Sequence, residues 1–167
     1  MRSIIIYATR YGSTAEVAKR LQNEIGDNCM TVNIMKETIP PLDTFDTVIL
    51  GGSIYIGKVQ KKLTAFITAN LKQLLTKQVG LYICAGAQTQ EERDKELSEA
   101  FPSDLLAHAI VKNVLGYAFS FEKMHFLDRF IMKKIKGNSV SVAEYNEECI
   151  LQFAEILKAT AQKLPLD

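Results

Sequence analysis

An excess of charge of either sign is nearly missing from this chain: 20 Lys and Arg stand against 19 Asp and Glu, a net charge of +1. With the basic residues spread through the chain instead of forming a block, no nucleic-acid partner is expected. Long hydrophobic runs are missing as well. No stretch of about 18 apolar residues occurs, so no membrane-spanning helix is expected, and the opening MRSIIIYA is too short for the core and cleavage site of a signal peptide. The expected location is the cytoplasm. Cys29, Cys84 and Cys149 are odd in number and far apart, without CxxC or Cys/His spacing. A disulfide framework or zinc site is therefore not expected, and the three read as small buried hydrophobes. The 2 histidines, His108 and His125, have no adjacent Cys or Ser to form a triad; His108 reads as strand packing and His125 as surface. Repeats, low-complexity stretches and linkers are lacking too. Residues 1–167 read as one domain, with 47% apolar residues to fill its core.

What is present is an alternation of short apolar runs and amphipathic segments. RSIIIYA (2–8) reads as a first strand, and Val17, Leu21 and Ile25 recur at helical spacing after it. MTVNIM (30–35) alternates weakly, as a half-covered strand does. TVILGGS (47–53) and VGLYICAG (79–86) are nearly continuous apolar runs bounded by glycine, the pattern of strands buried on both faces. Helical segments at 59–75 and 91–101 separate and follow these strands. Residues 107–119 supply a fifth strand and 142–162 a closing helix. The succession predicts a doubly wound α/β sandwich of three layers around a five-stranded parallel sheet of order 2-1-3-4-5. Its ligand belongs at the switch point, where the loops after strands one and three diverge.

The loop after strand one is TRYGST (9–14), in which Thr9, Ser13 and Thr14 surround Gly12 at the start of a helix. Free N–H groups and a partial positive charge make a helix N-terminus an anion site. The same residues allow a second reading, because STAE (13–16) has the form of a capping box that would satisfy those N–H groups internally. After strand three, residues 52–58 spell G-x-x-x-x-G-K, close to a nucleotide-binding P-loop. The next residue, Val59, has no hydroxyl for Mg²⁺, and the motif follows the third strand instead of the first. ATP or GTP binding is not expected.

Taken together, TRYGST resembles the T-x-[TSY]-G-x-T loop by which flavodoxins hold the FMN phosphate, at the same place in the strand succession. The resemblance implies phosphate contacts from the hydroxyls of Thr9, Ser13 and Thr14 and from the backbone of Arg10, Tyr11 and Gly12. It makes Ser53, Ile54, Tyr55, Ile56 and Gly57 the second flavin loop, with Tyr55 the candidate stacking ring. It makes Ala85, Gly86, Ala87 and Gln88 the third, aimed at the pyrimidine end. That third loop holds no aromatic residue, which leaves one flavin face open to a substrate.

Two departures choose a subfamily. Carrier flavodoxins are strongly acidic, and this chain is not. Residues 120–139, SFEKMHFLDRFIMKKIKGNS, form an insert that a minimal flavodoxin lacks. As a helix from Glu122 it places Met124, Leu127, Ile131 and Ile135 opposite Arg129, Lys133 and Lys136. Such a face suits an anionic membrane surface through 122–136, or packing on the sheet edge or another subunit. The insert, together with ATRYGST (8–14) and FLDRFIM (126–132), resembles the menaquinone-using, flavodoxin-like protoporphyrinogen IX dehydrogenases. Their second loop resembles SIRYGH where this chain has SIYIGK (53–58), so the arginine is absent and the aromatic is shifted by one. The resemblance implies an FMN oxidoreductase with a small-molecule reductant and a quinone acceptor, and Asp128 and Arg129 as candidates for binding charged groups of a substrate. The alternatives are an electron carrier without its own organic substrate and an interaction module that has lost flavin.

Overall fold

The computed structural model describes residues 1–54, 58–87, 89–119 and 142–162. Strands β1 (Ser3–Tyr7), β2 (Cys29–Asn33), β3 (Thr47–Ser53), β4 (Gln78–Cys84) and β5 (Val111–Val114) form a parallel sheet in the order β2-β1-β3-β4-β5. Helices α1 (Ser13–Ile25), α2 (Lys61–Leu74), α3 (Gln90–Ala100), α4 (Ser103–His108) and α5 (Glu147–Gln162) cover it. From β1 the chain moves out to β2 and returns past β1 to β3, which puts the switch point between β1 and β3, as the strand pattern predicts.

Period-two alternation sorts the strand side chains between the two faces. Ile4, Ile6, Val48, Leu50, Val79, Leu81 and Ile83 belong to a core that takes Leu63 and Ile67 from α2, Leu97 from α3 and Leu105 from α4. Ile5, Ile49, Tyr82 and Cys84 face the other way, onto Val17 and Leu21 of α1 and Phe153 and Leu157 of α5. Residues buried on both faces of a sheet read as the continuous apolar runs seen at β1, β3 and β4.

Three expectations need correction. The segment 107–119 is not one strand: α4 ends at His108, β5 covers Val111–Val114, and β6 (Gly116–Phe119) leaves the sheet. β6 pairs antiparallel with β7 (Val142–Tyr145), so the closing helix starts at Glu147 and its first predicted residues are a strand. Pairing between segments far apart in sequence decides this, and local periodicity does not contain it. His108 accordingly ends a helix instead of packing in a strand, its Nε2 lying 2.7 Å from the Lys77 carbonyl. β6 and β7 are the described strands on either side of 120–141 in the chain. The basic helix expected from Glu122, with His125, Asp128 and Arg129, lies outside the described residues.

Among the described residues no helix is long and apolar enough to cross a membrane.

Candidate functional site

Three loops meet at the carboxyl ends of β1, β3 and β4. Ala8 N–H donates to the Gly51 carbonyl at 2.9 Å, and Ile54 N–H to the Cys84 carbonyl at 3.0 Å, so sheet pairing extends into the loops and holds them side by side. Of the residues predicted for the site, 9–14, Ser53, Ile54 and Ala85–Ala87 fall at this junction. Tyr55, Ile56, Gly57 and Gln88 lie outside the described residues.

In the first loop Gly12 has φ 103° and ψ −11° and serves as the N-cap of α1. An L side chain is strained in that left-handed backbone, and glycine adopts it freely. Gly12 N–H donates to Thr9 Oγ1 at 2.9 Å, which closes the turn and leaves the threonine its own O–H to donate. No side chain caps α1, so the capping-box reading of 13–16 does not hold. The box forms elsewhere. Thr89 Oγ1 accepts from Glu92 N–H at 3.2 Å while Glu92 Oε2 accepts from Thr89 N–H at 3.1 Å, closing the start of α3. Thus α3 satisfies its own N-terminus next to the third loop, and α1 presents its N-terminus without a side-chain cap next to the first.

Ser13 and Thr14 are buried, and Thr14 Oγ1 has no hydrogen-bond partner of ordinary geometry. Such an orphan costs stability unless a ligand satisfies it. Beneath both hydroxyls lies the Cys84 thiol. Burial pushes its pKa up to about 12, against a smaller lowering by hydrogen bonding from Thr14 and Ser13. Buried Tyr82 is likewise held protonated, well above the usual phenol range, first by burial and then by neighbouring ionisable groups. The floor of the loop is therefore neutral at physiological pH, and nothing there competes with an anion for the helix end.

Two residues that organise this junction escape a reading of the sequence alone. Tyr82 donates its hydroxyl to the Thr14 carbonyl at 3.1 Å, tying β4 to the first turn of α1. Gln60 Nε2 donates to Ser53 Oγ at 2.8 Å and to the Ser53 carbonyl at 3.2 Å, clamping together the two ends of the second loop. The glycine pair in β3 was a usable signal for Tyr82, because glycine inside a strand marks close approach. Nothing local pointed to Gln60. In the third loop Ala85 is buried and Gly86 exposed, and Ala85 N–H donates to the Gly116 carbonyl at 3.0 Å. Ala85 and Ala87 border a cavity of about 530 Å³ walled on its far side by Tyr117 and Tyr145 of the β6/β7 hairpin.

The buried thiols give a pH prediction. Cys29, like Cys84, is pushed up to about 12 by burial. In the unfolded chain both ionise near pH 8.5. Between these values the unfolded state binds fewer protons, so stability is complete below about pH 8.5 and falls as pH rises toward 12, by at most ~1.4 kcal/mol per pH unit for each thiol. The urea midpoint is expected to drop between pH 8 and pH 10, with a shallower drop in Cys84→Ala. A midpoint that stays level would contradict the burial of these thiols.

The first loop thus offers the features of a phosphate site: an uncapped helix N-terminus, a buried hydroxyl without a partner of ordinary geometry and a neutral floor. Comparison with known proteins agrees with the fold. The family model of the flavodoxin domain matches residues 4–141. Protoporphyrinogen IX dehydrogenase [quinone] of Escherichia coli K12 is 21% identical over 157 residues, covering 90% of this chain and 87% of the relative. Oxidised flavodoxin 1 from Bacillus cereus superposes with a TM-score of 0.57 at 16% identity, over 95% of this chain and 98% of that one. A short-chain flavodoxin associated with a bacterial microcompartment gives a TM-score of 0.61 at 17% identity, over 96% and 99%.

Proposed function

Because the chain belongs to the flavodoxin domain family, we propose that it is an FMN-dependent oxidoreductase that dehydrogenates a small-molecule donor of the protoporphyrinogen type and passes the electrons to a quinone. The observation that carries the reading is the uncapped start of α1, with Thr14 Oγ1 buried beside it without a hydrogen-bond partner of ordinary geometry. The N–H groups of that first turn and the hydroxyls of Thr9, Ser13 and Thr14 would hold the phosphate dianion. Tyr82 sets the height of the turn through the Thr14 carbonyl, and Gln60 holds the second loop closed on Ser53. FMN, when bound, supplies the redox chemistry, so no side-chain acid, base or nucleophile is required of the protein. Each turnover removes two electrons and two hydrogens from the donor, and the quinone leaves as quinol.

The test is anaerobic. The protein is reconstituted with FMN, freed of excess flavin, and mixed with protoporphyrinogen IX and a menaquinone analogue. Formation of protoporphyrin that depends on both quinone and bound FMN is the expected result. Tight FMN binding with no turnover would move the reading to an electron carrier without its own organic substrate, and absence of FMN binding would remove both.

A further inference from the structure

A groove of about 400 Å³ opens beside the first loop, at the carboxyl ends of β1 and β3, lined by Thr9, Arg10, Met35 and residues 58–61. Its charged lining is Arg10, Lys58 and Lys61, with no carboxylate among these residues. Lys58 and Lys61 are exposed, and neither ammonium group pairs with a described residue. The walls between the cations are apolar, from half-buried Val59 and from Met35, which is 44% exposed. A more open trough of about 730 Å³ shares Lys58, Val59 and Lys61 and is lined further by Thr64, Ala65, Thr68 and Ala69 of α2 and by Glu99 of α3.

The two together form a mostly apolar channel whose charged lining is Arg10, Lys58 and Lys61 with a single carboxylate, Glu99. A small inorganic anion would use the lysines and leave the apolar length empty. A neutral apolar molecule would fill the length and gain nothing from the lysines. The complementary ligand carries both features, an apolar body with acidic groups at one end.

We propose that this groove binds the carboxylates of an apolar small-molecule donor, with Lys58 and Lys61 as the residues that select for them. The donor role rests on the FMN reading above; the binding does not. Lysine suits the task because its ammonium is a point charge on a flexible stem that follows a carboxylate without a fixed plane. Exposure of both lysines makes the contact sensitive to salt.

The experiment titrates the FMN-treated protein with protoporphyrin IX, a redox-inert diacid of the proposed donor class, and in parallel with its dimethyl ester, following the visible absorption of the porphyrin. The wild-type protein is expected to prefer the diacid, more weakly as salt rises. Lys58→Gln/Lys61→Gln is expected to bind the diacid about tenfold more weakly, with the ester affinity within about twofold of wild type. Equal affinity for diacid and ester, or an unchanged diacid affinity in the double variant, overturns the proposal. Full displacement of the diacid by millimolar inorganic phosphate overturns it in favour of a phosphate site. Lysine-dependent binding to phosphatidylglycerol vesicles, with diacid binding unaffected by the substitutions, overturns it in favour of a lipid surface. Discrimination between diacid and ester by a protein that takes no FMN would remove the flavin reading and leave the groove; FMN binding without discrimination would do the reverse.

Discussion

Thr14→Val is expected to weaken FMN binding about tenfold to a hundredfold while leaving the folded protein as stable as before or slightly more so. A hydrogen bond to a charged partner is worth about 1.5–3 kcal/mol, and each ~1.4 kcal/mol is a tenfold change in affinity. Removing an interaction normally costs stability, and here the sign reverses for a stated reason. Thr14 is 0% exposed and its Oγ1 has no hydrogen-bond partner of ordinary geometry, only the weakly accepting Cys84 thiol beneath it, so the hydroxyl has lost water with little replacement. Valine keeps the shape and removes that loss. The backbone carbonyl of Thr14, which accepts from Tyr82, is untouched by the change. Flavin fluorescence titration and urea unfolding on the same variant check both halves. Unchanged FMN affinity would show that this hydroxyl does not serve the phosphate. A stability loss above about 1 kcal/mol would show that it serves the fold.

Gly51→Ala is expected to destabilise the protein by about 3–5 kcal/mol, in the range reserved for severe overpacking. A Cβ at position 51 would stand 2.1 Å from Tyr82 Cζ and 2.3 Å from its hydroxyl. The ring has nowhere to go: it is fully buried, meets Phe153 edge-on at 6.4 Å between centroids, and its hydroxyl is engaged at Thr14. For a chain of this size the loss corresponds to a melting temperature lowered by about 10 °C. Because the clash is with one side chain, Gly51→Ala/Tyr82→Leu should cost clearly less than the sum of the two single changes, by more than about 1 kcal/mol. The Gly51→Ala variant should also bind FMN more weakly, since displacement of Tyr82 releases the first turn of α1. Additive costs in the double variant, or a single variant within about 1 kcal/mol of wild type, would refute the contact as the cause.

The sequence by itself determined the strand order and the switch point at which the candidate site lies. Strands β1, β3 and β4 are buried on both faces and so announce themselves as apolar runs, while the four-residue spacing of Val17, Leu21 and Ile25 marks α1 on the local chain alone. A parallel order with one switch point then follows from connectivity. Tertiary structure decided what the local pattern leaves ambiguous. STAE at 13–16 and TQEE at 89–92 carry the same capping signal, yet only the second closes. The hydroxyls of Ser13 and Thr14 are brought against Cys84 of β4, and the turn is held from below by Tyr82. The division of 107–119 into α4, β5 and β6 depends on a partner strand at 142–145. Contacts such as Tyr82 against Gly51 depend on strand register, and the reach of Gln60 to Ser53 depends on how the second loop returns. Register and loop closure are set by the packing of the whole sheet, so they exist only once distant parts of the chain have met.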